Sequence, residues 1–131
     1  MDSEKAAEVV LKLPDFVSLT PFQWAGCNAV YSPFKRESTE WMLGYGIFPS
    51  PKGPRRLVAT NPELLAAYAY PYADAKGLRS AGDLLTILFS LDEVTDVQNE
   101  SDAIITRDTF ANGLKGESSG DTSPIALFAR E

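Results

Sequence analysis

The sequence predicts an all-α domain, and three observations carry that prediction. Apolar residues recur at helical spacing. The runs open at capping residues and prolines and close at glycines or prolines. No stretch alternates apolar and polar residues as a half-buried strand does. With 131 residues, the chain has the length of one domain or part of one.

Residues 1–31 read as an irregular arm with one short helix near residues 4–11. Leu13-Pro14-Asp15-Phe16 is extended there, because the residue before proline avoids helical angles. The segment 32–131 then supplies the helices. Ser32-Pro33 reads as a cap followed by proline at the first helical position, opening a helix through Phe34, Glu37, Trp41 and Met42 that Gly44 and Gly46 end. Residues 48–56 hold three prolines, a glycine and the cations Lys52, Arg55 and Arg56, which marks a loop. Those cations suit a phosphate, but no glycine-rich cradle accompanies them, and a solvated turn accounts for them better.

Asn61-Pro62-Glu63 opens the next helix with cap, proline and early acid in the favoured order. It carries Leu64, Leu65, Ala67 and Tyr68, and Pro71 closes it. Asp74 or Ser80 starts a third helix. Its apolar positions Leu78, Leu85, Leu88 and Phe89 line one side, which Asp92 continues one turn on. Residues 84–91 are apolar on nearly every face and belong in the middle of a bundle. A fourth helix runs from Asp102 through Ile105 and Phe110 to Leu114, with Gly116 as its stop. Residues 117–123 form a polar loop, and residues 124–131 read as the first turns of another helix.

The net charge of −6 argues against nucleic-acid binding, since no basic stripe is present. From Asp92 onward nine acids face only Arg107, Lys115 and Arg130. A single cysteine, Cys27, excludes an internal disulfide framework, and the absence of histidine excludes histidine-based zinc or triad chemistry. The first five residues lack the order of a signal peptide, and no apolar stretch reaches the ~20 residues of a membrane span. A soluble cytoplasmic protein is the expectation.

Chemistry gathers at Asp92-Glu93-Val94-Thr95-Asp96. A helix extended through it sets Asp92 and Asp96 on one face about 5–6 Å apart, a like-charge spacing that costs a few tenths of a kcal/mol. Acids in a last turn also meet the negative end of the helix dipole. Two unfavourable placements at one spot point to a compensating cation. Magnesium typically takes one or two protein carboxylates and leaves its other positions to water and phosphate oxygens. A solvated acidic helix end is the alternative. An EF-hand is excluded, because Val97 stands where its sixth-position glycine belongs. An acidic rim above an apolar, aromatic interior suits a molecule with a diphosphate head and a hydrocarbon tail. Magnesium would draw off the diphosphate, and aromatic faces would stabilise the carbocation. Phe89 and Tyr68 are the candidate pocket residues, with Tyr70 and Tyr72 as further candidates; ordinary core packing explains any one of them better.

These residues also resemble a family. Leu65-Ala66-Ala67-Tyr68-Ala69-Tyr70-Pro71-Tyr72-Ala73, Leu78-Arg79, and Asp83-Leu84-Leu85 leading to Phe89-Ser90-Leu91-Asp92-Glu93-Val94-Thr95-Asp96-Val97 are similar to the N-terminal part of fungal (basidiomycete-type) sesquiterpene synthases, the class I terpene cyclases. The resemblance covers most of residues 12–116 and is strongest at 64–97. It implies an all-α terpenoid-synthase bundle and magnesium as cofactor. By analogy Asp92 is the principal metal ligand, Glu93 a tolerated second-position variant and Asp96 a more variable ligand. It further implies farnesyl diphosphate as substrate and a sesquiterpene as product. Such enzymes are more than twice this length and carry a second metal motif, Asn-Asp-x-x-Ser-x-x-x-Glu, which does not occur in these 131 residues. The expectation is therefore the N-terminal part, residues 1–131, of one synthase domain with little or no turnover by itself. Two other functions compete. An isoprenyl diphosphate synthase ranks lower because its first motif is richer in acids and followed by basic residues, whereas Arg107 is the nearest one here. The other is a non-catalytic helical cation-binding or interaction module.

Overall fold

The computed structural model describes residues 10–117 and 120–131, and every element found there is a helix. In chain order these are α1 (Phe16–Leu19), α2 (Tyr31–Phe34), α3 (Glu37–Leu43), α4 (Lys52–Thr60), α5 (Pro62–Ala69), α6 (Ala75–Thr95), α7 (Glu100–Leu114) and α8 (Pro124–Ala129). The all-α expectation holds.

Local capping chemistry accounts for most of the starts. Asp15 accepts hydrogen bonds from Val17 and Ser18 N–H at α1, and Asn61 accepts from Leu64 N–H at α5. Asp74 accepts from Gly77 N–H at α6, Asn99 from Asp102 N–H at α7 and Ser123 from Ala126 N–H at α8. Each satisfies a donor that a helix N-terminus leaves free. The cap sets the register of α7, which begins at Glu100 rather than Asp102. Ser123 is itself held by the Asp121 carboxylate, which accepts its N–H at 2.8 Å; that bond keeps the Asp121 carboxyl below the usual aspartate range.

Two expectations are corrected, and a third, the helix near residues 4–11, lies outside the described residues except for Val10 and Leu11, which are not helical. The single helix expected from Ser32-Pro33 is two. Its chain breaks at Arg36, whose φ of 71° places a bulky residue in the left-handed region. Such a conformation costs on the order of 1–2 kcal/mol. The break aims the start of α3 at Glu63, which accepts from Thr39 N–H at 2.6 Å and from Thr39 Oγ1 at 2.9 Å. The other correction is the loop at residues 48–56, of which Lys52 onward is α4. Pro54 lies in its first turn, where the missing N–H has no partner to lose, and Leu57 is fully buried one turn on.

α6 is the central element and packs against α3, α4, α5 and α7, while α8 lies on α7. Its buried seam is Leu78, Gly82, Thr86, Ser90 and Val94, a four-residue period. The seam is small, and that allows close approach. A Cβ at Gly82 would lie 3.0 Å from Ser38 Oγ and 3.6 Å from Glu63 Cγ. One core gathers Met42, Ile47, Leu57, Val94 and Phe128; a second joins Ala66, Ala67 and Leu78. Full burial of a side chain such as Met42 or Leu57 is worth about 1.5–3 kcal/mol. Phe128 closes α8 onto the first core, its ring centroid 5.3 Å from those of Trp41 and Tyr45. Buried Asn28 ties the arm to the α5–α6 corner, donating to Tyr70 and Ala73 carbonyls at 2.8 Å each.

Candidate functional site: the acidic end of α6

α6 begins at the Asp74 cap and runs 21 residues without proline, so one helix carries the chain from the Tyr-Pro corner to the acidic motif. Residues two positions from the seam stand about 200° round the helix axis, on the far side. Leu84, Leu88, Asp92 and Asp96 occupy that far face, and all four are exposed. The expected sharing of one side by Leu88 and Asp92 therefore holds. Leu78 does not share it, being in the buried seam, and Leu85 and Phe89 are half-buried flanks. Nor is the stretch 84–91 enclosed on all faces, since Leu84 and Leu88 are each 54% exposed. Leu84 was not singled out from the sequence; counting back by fours from Asp92 would have found it.

The motif straddles the helix end. Asp92 and Glu93 lie in the last turn, and Asp96 is the C-cap with its N–H donating to the Asp92 carbonyl at 2.9 Å. Thr95 Oγ1 donates back to the Leu91 carbonyl at 2.9 Å, a side-chain-to-backbone bond within the last turn. Beyond it, Gln98 accepts from Thr106 Oγ1 at 3.0 Å and so fixes the turn into α7. No basic residue stands in the last turn of α6. Asp92 and Asp96 enter no side-chain hydrogen bond or ion pair with a described residue.

Glu93 behaves differently. Its Oε2 lies 3.3 Å from Nη1 of Arg56, on α4. One of the cations weighed as a phosphate contact thus meets an acid of the motif instead, across 37 residues that no local pattern spans. Among the described residues no three Asp, Glu or Cys side chains converge as a metal cage. The donor set that remains is the Asp92 and Asp96 pair, two unengaged carboxylates on one face. Two carboxylates with open space for water and phosphate oxygens match what magnesium takes from a protein, so these residues fit that ion.

The two candidate pocket aromatics lie apart. Phe89 packs half-buried against the core of Met42, Leu57 and Val94. Tyr68 is exposed on α5 with its ring centroid 5.2 Å from that of Trp24 in the arm. Tyr70 and Tyr72 are exposed as well. No described helix is long and apolar enough to cross a membrane.

The fold and the motif define an all-α chain with an acidic cluster at the end of its longest helix. No family model and no solved structure matches the chain. Its sequence does match curated proteins. The bifunctional terpene synthase Agr4 of Cyclocybe aegerita is 34% identical over 120 residues, 92% of this chain and 34% of that protein. Linoleate 10R-lipoxygenase COP4 of Coprinopsis cinerea is 34% identical over 119 residues, 91% of this chain and 34% of that protein. A Delta(6)-protoilludene synthase of Postia placenta is 37% identical over 99 residues, 76% of this chain and 28% of that protein. The chain is thus related in sequence to basidiomycete sesquiterpene synthases over most of its length. It spans about one third of the length of the curated relatives it matches.

Proposed function

We propose that residues 1–131 correspond to the N-terminal part of one terpene synthase domain. The reaction would be the magnesium-dependent ionisation and cyclisation of farnesyl diphosphate. What carries the reading is the unengaged Asp92 and Asp96 pair at the end of α6, on the same exposed face as Leu84 and Leu88. Kinship with several sesquiterpene synthases supports it.

In this reading the chain contributes one arm of the site. Asp92 and Asp96 hold the cation at the helix end, and Glu93 is the second acid of the motif. When bound, magnesium supplies Lewis-acid stabilisation of the negative charge that develops on a departing diphosphate. Leu84 and Leu88 extend an apolar wall one and two turns below the carboxylates, where a hydrocarbon tail would lie away from water. Phe89 on α6 and Tyr68 on α5, which do not line one shared pocket here, are the aromatic side chains proposed to offer faces to a carbocation.

The test has two parts. Magnesium titration followed by NMR is expected to shift the Asp92 and Asp96 resonances of the 131-residue protein, and Asp92→Asn to abolish the shift. Resonances that stay put would overturn the metal reading and leave an inert acidic patch. Incubation with farnesyl diphosphate and magnesium, followed by analysis of volatiles, should give little or no product. Robust turnover would refute the view that these residues form only one part of the catalytic domain.

A further inference from the structure

α4 and α6 are joined beside the motif by the ion pair of Arg56 and Glu93, with Nη1 and Oε2 3.3 Å apart. The Glu93 side chain is 21% exposed and that of Arg56 59%. Each residue advances a helix by about 100°, so Glu93 leaves the face of Asp92 and looks toward α4. Because α6 has no basic residue in its last turn, the cation that its acidic end calls for comes from a neighbouring helix. The pair borders a recess of about 140 Å³ that Lys52, Gly53 and Val97 also line.

We propose that Arg56 is a positioning residue for the acidic motif. By holding Glu93 against α4, it leaves Asp92 and Asp96 as the two carboxylates that meet a divalent cation. The inference rests on the metal reading of Asp92 and Asp96 given above. Released from Arg56, Glu93 stands three residues from Asp96, within side-chain reach on a helix. The helix end would then offer three mobile acids in place of an open pair. A third carboxylate would strengthen the hold on a divalent cation but take a position that magnesium leaves to water and phosphate oxygens when one or two carboxylates bind it.

Manganese(II), titrated into the 131-residue protein and followed by electron paramagnetic resonance, tests this, with circular dichroism reporting the fold of every variant. Arg56→Gln is expected to tighten manganese binding about threefold, the size of coupling that exposed ion pairs show. The same change made in a Glu93→Gln background should lose most of that effect, and Arg56→Lys should restore the parent affinity. Glu93→Gln alone should leave affinity within about twofold, because Glu93 is not a ligand while Arg56 holds it. Equal effects of Arg56→Gln in both backgrounds would make Arg56 a surface charge acting through space and overturn the proposal. So would a loss of binding in Glu93→Gln, which would make Glu93 a ligand. Failure of the parent protein to bind manganese at all would instead overturn the reading of Asp92 and Asp96, and the proposal with it. A parent that binds and an Asp92→Asn variant that does not keeps the two failures distinct.

Discussion

Removing the Glu63 carboxylate should cost more stability than removing any exposed acid of the protein. Glu63 is 5% exposed and sits on α5, yet its partners are on α3, 24 residues earlier: Thr39 N–H at 2.6 Å and Thr39 Oγ1 at 2.9 Å. It thereby caps a helix whose own N-cap, Arg36, has no side-chain bond to offer. Glu63→Ala strands two buried donors. At about 1–3 kcal/mol for each unsatisfied group, the loss should be about 2–6 kcal/mol. Glu63→Gln keeps the shape and one acceptor oxygen, and the Thr39 hydroxyl can rotate to accept from the new amide. That variant should lose only the charge-assisted share, about 1–2 kcal/mol. Urea unfolding followed by circular dichroism measures both, and Thr39→Val in a double-mutant cycle isolates the shared term. A Glu63→Ala variant within about 0.5 kcal/mol of the parent protein would refute the capping role, since that is the range of ordinary surface changes.

Two further substitutions probe the packing of α6 and α8. The Thr86 hydroxyl is buried on α6 without a hydrogen-bond partner among the described residues, so Thr86→Val should stabilise the protein by about 1 kcal/mol in the same unfolding assay; destabilisation would mean that the hydroxyl is engaged. A Cβ at Gly113 would overlap the Ala129 Cβ, so Gly113→Ala should cost about 1–3 kcal/mol by overpacking, against a helix-propensity gain of about 1 kcal/mol. Faster amide exchange at Phe128 and Ala129 would report α8 lifting from α7, and a net gain in stability would contradict the close approach.

The helix starts at Pro62 and Pro124 were legible because their causes are local, and of the two starts open for α6 the structure takes the Asp74 cap. A capping side chain two to four residues from the donor it satisfies can be read along the chain, as can the proline or glycine that follows. The same holds for the placement of Asp92 and Asp96 on one face, which follows from helical periodicity once α6 is known to run that far. The break at Arg36 was not legible. Its compensation is Glu63, a residue distant in sequence, and a Ser-Pro pair with apolar spacing reads as one continuous helix. At α4, prolines suggested a loop, but burial of Leu57 and the place of Pro54 in the first turn reverse that reading.

By itself the sequence determined that the chain is helical, where α5 and α8 begin, and that an acidic pair closes the longest helix. Its similarity at residues 64–97 also pointed to the family to which the relatives belong. Only the tertiary structure decided which side of α6 is inside. Residues 84–91 are apolar nearly all round, so hydrophobicity could not choose a face. Close approach chose it, because Gly82 lets Ser38 of α3 and Glu63 of α5 come near where a leucine would hold them off. That choice turned Leu84, Leu88, Asp92 and Asp96 outward together. It also set Glu93 against Arg56, a pairing between charges 37 residues apart that exists only because two helices pack.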